Sequence, residues 1–273
     1  MKRVLIILMA LGLAACSRDG ADVPEKLVVE GWIEEGKAPV VYVTTSLVPK
    51  EEPESLEDIG THVVRWAKVT ISDGDEEVVL TGTASKRFYP PFAYTTGRMT
   101  GVAGKTYRLT VDYSGVHAEA SAKVPASKEL TSCVAEKQPN GKYCIRAAFE
   151  DDPATEDYYR FFHRIEKVDS TFLPSPLAYM DDSVQEAILL PGKGISRADE
   201  RGGGFLSGDR VQVKFCTMDK GMYTFWKAFE EQAYLAGVPV FTLDGNLPGN
   251  VHGDRATGYF AGYGCTVYSV EIP

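Results

Sequence analysis

The chain has 273 residues, 44% of them hydrophobic and 25% charged, and its 38 acidic against 29 basic side chains give a net charge of −9. These fractions are those of a water-soluble globular body and exclude a disordered tail, a collagen-like repeat and a multi-span membrane protein. The acidic balance, with no basic run, argues against nucleic acid as a partner, because phosphate neutralisation supplies most of that affinity.

The chain opens with Lys2 and Arg3, followed by an apolar run from Val4 to Ala15. A spanning helix needs roughly 20 apolar residues, so this run is too short for one and reads as the core of a secretory signal over residues 1–15. It ends in Leu13-Ala14-Ala15-Cys16, the pattern of a bacterial lipobox, with small residues before the cut and a thiol that can carry a diacylglycerol. Lipidation is therefore expected at Cys16. Two or more acyl chains anchor a protein stably, each buried CH₂ contributing about 0.8 kcal/mol. Residues 16–26 are polar, contain Gly and Pro, and read as a tether.

From Leu27 onward the pattern is strand and turn, in keeping with 14 Tyr and 12 Phe. Strands are expected at Leu27–Ile33, Val40–Val48, Ala67–Ser72, Glu76–Thr81 and Lys86–Tyr94. The clearest hairpin joins Thr106–Tyr113 to Val116–Val124 through Ser114-Gly115. A two-residue turn there pairs Tyr113 with Val116, Val111 with Ala118 and Leu109 with Ala120, setting large residues against small ones. The same register puts His117 beside Asp112 on the outer face, as a surface pair. Residues 27–125 are expected to form an Ig-like or transthyretin-like β-sandwich. Val124-Pro125-Ala126-Ser127 marks the expected boundary.

Residues 126–273 read as a second β-rich unit. Its strands are expected near Leu130–Glu136, Lys142–Phe149, Tyr158–Val168, Arg210–Thr217 and Thr266–Ile272. Asn140-Gly141 suggests a two-residue turn. The stretches 170–183 and 191–209 read as long loops, which are commonly functional. One helix is expected from Asp219 to Ala236: Met222, Phe225, Trp226, Phe229 and Ala233 follow its period, Asp219 caps it, and Gly237 with Pro239 stop it. Lys220, Lys227, Glu230 and Glu231 are read as its outward face.

Four cysteines follow Cys16, and an exported protein meets an oxidising compartment. Cys216 and Cys265 share the polar faces of their strands and are the expected disulfide. With Lys137 opposite Cys144 across the turn, Cys133 is out of register for a Cys133–Cys144 staple. The histidines are His62, His117, His163 and His252, and His163 shares a strand face with Tyr159, Phe161 and Ile165, as a core residue does. Asp151-Asp152 and Asp181-Asp182 read as solvated loop charges rather than half of a calcium site. No nucleophile elbow, zinc motif or phosphate loop is present, so no catalytic residue, metal or cofactor is assigned.

Several segments occur together in a recognisable order: the lipobox, Val28-Val29-Glu30-Gly31-Trp32-Ile33, Ala67–Asp73, Gly104–Val111, Asp151-Asp152-Pro153 before Tyr158–Phe161, Asn250-Val251, and Gly258-Tyr259-Phe260-Ala261-Gly262-Tyr263. In this order the chain resembles the domain-of-unknown-function family 4249 of Bacteroidota-type envelope lipoproteins. Where members often read Asn-Ile-x-Gly-Gly-Leu-Gly, this chain reads Asn250-Val251-His252-Gly253-Asp254-Arg255-Ala256-Thr257-Gly258. The resemblance implies an envelope lipoprotein, often encoded beside a TonB-dependent outer-membrane transporter, with no established activity and no catalytic residues to carry over. Gly104 and Gly258 read as turn residues.

The resulting expectation is a non-enzymatic lipoprotein, lipid-anchored in the outer membrane and accessory to such a transporter in nutrient capture. A structural or adhesive surface protein is the alternative, and a hydrolase with an unrecognised site comes third. The loops 170–183 and 191–209 are the expected binding surfaces.

Overall fold

The Ser114-Gly115 hairpin sets the register of the first half. Strands β7 (Thr106–Tyr113) and β8 (Val116–Lys123) pair Tyr113 with Val116, Val111 with Ala118, Leu109 with Ala120 and Asp112 with His117. Ser114 and Gly115 both adopt positive φ (49° and 78°), as a two-residue turn matched to strand twist requires. The structure, a computed structural model, describes residues 25–46, 60–88, 90–152, 154–181, 187–192, 203–236 and 247–273.

The described residues form a mainly β protein with three sheets and one α-helix. Strands β1 (Leu27–Glu34), β2 (Val40–Thr45), β5 (Thr81–Ala84) and β6 (Phe92–Thr95) belong to an eight-stranded sheet. Strands β3 (Lys68–Ser72) and β4 (Glu77–Val79) join β7 and β8 in a four-stranded sheet of order β4-β3-β7-β8. The buried Leu80 lies where the chain crosses from one sheet to the other. Val29, Ile33, Val41, Ile71, Tyr107, Leu109 and the alanines of β8 fill the space between them. The expected strand Lys86–Tyr94 starts late, at Phe92. Pro90 and Pro91 have no N–H to donate to a ladder.

In the second half, β9 (Leu130–Lys137), β10 (Tyr143–Phe149) and β13 (Ile188–Leu190) form a three-stranded sheet. It covers β11 (Tyr158–Ile165), β12 (Leu173–Met180) and β14 (Arg210–Met218) of the large sheet, with Ile145, Phe149, Phe161, Phe205, Val213 and Phe215 between. The β9–β10 turn differs from the two-residue reading. Gly141 N donates to Gln138 O, Gly141 has φ +82°, and Cys144 faces Glu136. Pro139 takes the first corner of a type I turn, and Gly141 supplies the left-handed residue after it. Cys133 faces Ala147, and both thiols are free.

The stretch 170–183 is not a loop throughout. Leu173–Met180 is an edge strand on β11, broken in register between Arg160 and Phe162, with Leu177 at φ +54°. Pro174 and Pro176 masked it in the sequence, yet an edge is where a strand tolerates proline. In 191–209, residues 193–202 lie outside the described residues. Phe205 exchanges two backbone hydrogen bonds with Tyr143 and is buried.

The last strand, β15 (Ala256–Glu271), is more than twice as long as expected and pairs with strands of both halves. Ala256–Tyr263 runs parallel to Leu27–Glu34, and Gly264–Glu271 runs antiparallel to Thr217–Arg210. The large sheet, of order β12-β11-β14-β15-β1-β2-β6-β5, is thus continuous past Pro125–Glu129. Glycines permit this path. Gly258 has φ +134° and lies where a Cβ would overlap the Val29 carbonyl oxygen. It is a strand residue, not a turn residue, because backbone crosses there at contact distance. At Gly262 and Gly264 a Cβ would meet the Lys123 and Pro125 carbonyls. Asn250 completes the join: its side-chain amide donates to the Ser121 and Phe260 carbonyls and accepts from Phe260 N.

Gly258→Ala is expected to cost at least about 2 kcal/mol in urea unfolding, since it adds both φ strain and overlap. Gly104→Ala, at φ +84° with open space around it, is expected to cost only about 1 kcal/mol. Equal losses would contradict the close approach.

Candidate functional site

Two places collect polar and aromatic side chains. The first lies beneath the helix α1 (Lys220–Ala236), on the face of the large sheet opposite the two cores just described. Asp219 caps the helix, its Oδ1 accepting from Met222 N at 2.8 Å. Met222 is buried, and Phe225 and Trp226 pack on Tyr259 and Tyr263 of β15. The residues expected to stop the helix, Gly237 and Pro239, lie outside the described residues. Cys216 and Cys265 are cross-strand neighbours on this face and are joined by a disulfide.

Glu230 corrects the sequence reading of an outward face. It is fully buried, 2.5 Å from Arg160 of β11, which is also fully buried. Its other oxygen accepts from Leu177 N at 2.7 Å. Alternation put Tyr159, Phe161, His163 and Ile165 inward, and all four are indeed buried. Arg160 occupies the opposite face, where the helix covers it. Its guanidinium lies 4.5 Å from the Trp226 ring and 5.7 Å from the Phe162 ring. Nε and Nη1 have no hydrogen-bond acceptor among the described residues. Burial pushes the Arg160 pKa down, while Glu230 opposes the shift. Further along the face, Lys214 pairs with Glu34 between the rings of Phe162 and Phe172. Burial raises the Glu34 pKa, but Lys214 and Lys37 reverse this and leave it below the ordinary value. The stability from Glu34 is therefore present at neutral pH and lost as acid protonates it. These pairs are filled by protein groups and leave no access for a substrate, so they are structural.

The second place is open to solvent. Trp66 is 89% exposed, an uncommon state for so large an apolar ring. The backbone around it is fixed: buried Tyr94 donates its hydroxyl to Val64 O and accepts from Ala67 N, both at 2.9 Å. Beside Trp66 lies a groove of about 330 Å³ lined by Lys68, Asp112, Tyr113, Val116, His117 and the Ser114-Gly115 turn. Lys68, Asp112 and His117 form one cross-strand row. His117 Nδ1 is 2.7 Å from Asp112, and Nε2 is 3.0 Å from Glu119, which Arg108 also contacts at 2.5 Å. Both ring nitrogens can donate only in the imidazolium form. Hydrogen bonds to Glu119 first and Asp112 second accordingly raise the His117 pKa. The expected His117–Asp112 pair is present. Trp66 was missed, because an isolated Trp ahead of a strand breaks no pattern. Its one signal is position, outside the alternation of Val69 and Ile71.

The remaining candidates take bland roles. His163 is buried, with Nδ1 at 2.8 Å from Ser175 Oγ. His252 pairs its backbone with Glu119. Lys128 Nζ donates to Asp151 at 3.3 Å, Asp157 at 2.6 Å and the Tyr159 hydroxyl at 2.7 Å, so an ammonium occupies the place a cation would take. Asp181 accepts from the Tyr223 hydroxyl, and Asp182 lies outside the described residues. Burial pushes the Cys133 thiol up to about 11, which makes it unreactive at neutral pH. Among the described residues, no three His, Cys, Asp or Glu side chains are grouped to hold a metal. Cys16 lies outside the described residues.

The family model described as Domain of unknown function (DUF4249) matches residues 18–269. No curated protein matches the chain. Two solved chains titled as a cytokine receptor complex are similar at 10% and 8% identity, each over 71% of this chain. They are covered over 92% and 86% of their own length, with TM-scores of 0.27 and 0.25, too low to carry any argument.

Glu230→Gln is expected to destabilise the protein by about 3–5 kcal/mol, since it leaves the Arg160 charge buried without a counter-ion. The double variant Arg160→Met/Glu230→Leu should recover most of that loss, and the exposed Glu231→Gln should change stability by less than about 0.5 kcal/mol. Chemical denaturation measures all three, and a Glu230→Gln variant as stable as wild type contradicts the assignment.

Proposed function

The chain belongs to the DUF4249 family, and from that membership, the leader ending at Cys16 and the acidic β body we propose that it is a non-enzymatic lipoprotein of the outer membrane, accessory to a TonB-dependent transporter in nutrient capture. The observation that carries the reading is Leu13-Ala14-Ala15-Cys16 at the end of an apolar run too short to span a bilayer. Acyl chains on Cys16 hold the protein at the membrane, and residues 16–26 tether the body to it. Among the described residues no helix is long and apolar enough to cross a membrane.

A capture protein needs an exposed recognition surface on a rigid frame, and no catalytic group. The groove beside Trp66 meets that need better than the segments 170–183 and 191–209, whose described parts include a paired strand and the docked Phe205. It sits on a sheet end held by Tyr94 and by the tight turn at Ser114-Gly115.

Tagged wild-type protein purified from native membranes is expected to bring a TonB-dependent transporter with it. Cys16→Ala should leave an unprocessed or soluble form that no longer floats with membrane vesicles. Flotation of Cys16→Ala after a salt wash contradicts the lipid anchor. A floating wild type with no transporter contradicts the accessory role and favours a structural or adhesive surface protein.

A further inference from the structure

The Trp66 groove has a chemical character that narrows what it can bind. One wall is a flat, solvent-facing indole; the rest is a rim of hydrogen-bonding groups. Lys68 donates, Asp112 accepts, and the Tyr113 and Ser114 hydroxyls can do either. Charges of both signs line the groove and stand close to balance, Lys68 and His117 against Asp112, while Arg108 and Glu119 beyond the lining pair with each other. This balance is local, since the chain as a whole carries −9. An anion would face Asp112, and a cation would face Lys68 and the His117 imidazolium. A neutral ligand brings no charge that must be stripped of water. Its shape must combine an apolar face, for the indole, with a polar rim.

A pyranose ring has that shape. One face presents C–H groups whose slight positive charge suits the negative face of an aromatic ring. Its hydroxyls radiate in the ring plane, where they reach donors and acceptors on a rim. The groove volume, about 330 Å³, is at the small end of ligand sites and matches one or two sugar rings rather than a long chain. We propose that the groove formed by Trp66, Lys68, Asp112, Tyr113 and the Ser114-Gly115 turn is a binding site for a neutral saccharide, stacked on the Trp66 indole. The Tyr94 hydroxyl bonds to Val64 O and Ala67 N hold the backbone on both sides of Trp66, so no backbone ordering is needed there on binding. This deepens the capture reading by naming its ligand class, and rests on that reading only for where the ligand goes next.

The test is saturation-transfer NMR on the full chain in a detergent without a sugar headgroup. The probes are methyl α-glucoside, methyl α-mannoside, methyl β-galactoside, N-acetylglucosamine and cellobiose, with choline and inorganic phosphate as charged controls. At least one neutral sugar should receive saturation at its ring C–H protons. Trp66→Ala should weaken that sugar about tenfold or more, while Trp66→Phe, which keeps a ring, should retain most of the affinity. At 89% exposure Trp66 contributes little to the core, so both variants should fold. No saturation of any neutral sugar overturns the proposal, as does equal binding by Trp66→Ala, or binding of choline or phosphate alone. Recovery of a transporter is a separate readout, so failure of the sugar site and failure of the accessory role are distinguishable.

Discussion

A strand that serves two sheet segments at once must pass other backbone at van der Waals distance, and β15 does so at Gly258, Gly262 and Gly264. Side chains at these positions would push away Val29, Lys123 and Pro125, so the parallel ladder to β1 could not close. With the ladder closed, one strand supplies Phe260 to the first core and Val270, with Ile272 beyond it, to the second. The first core is then not completed by its own half of the sequence, whereas the second draws only on residues from Leu130 onward. The Asn250 amide, bonded to Ser121 and Phe260, fixes the approach to this strand.

The disulfide sits where β15 changes partner. Tyr263 is the last residue opposite β1, Gly264 the first opposite β14, and Cys265 is bonded to Cys216 one position further on. In the chain-entropy model, closing the 49-residue separation is worth about 4 kcal/mol. The same face carries Arg160–Glu230 and Lys214–Glu34 under and beside the helix. Buried pairs contribute little net stability, but each one is costly when half is removed, so Arg160–Glu230 fixes which helix face meets the sheet and Lys214–Glu34 ties β14 to β1 across β15. The groove beside Trp66 stands on the same frame, with its backbone held by the Tyr94 hydroxyl and by the Ser114-Gly115 turn.

Local patterns in the sequence specified what local physics decides. The β7–β8 register, the core placement of His163, the helix with its Asp219 cap and the shared face of Cys216 and Cys265 follow from periods of two and 3.6 and from turn chemistry. Long-range pairing was not legible. Nothing near Ala256 announces a parallel partner at Leu27, and glycines that allow close approach look like turn glycines. Pro174 and Pro176 made an edge strand look like a loop, and Pro139 moved a turn by one residue. Glu230 looked like any exposed helix glutamate, because its partner Arg160 lies 70 residues earlier on the strand face that alternation treats as outer. The groove beside Trp66 is formed by β3, β7 and β8 together, and no single segment carries its signature.

Native-state hydrogen exchange tests most directly whether β15 makes one cooperative body of the two halves. The account predicts that the most protected amides of β1, β7, β14 and both ends of β15 open with the same free energy and the same denaturant dependence. Amides of residues 27–124 that open together at lower free energy and with a smaller denaturant slope, while Val211–Phe215 stay protected, would contradict it.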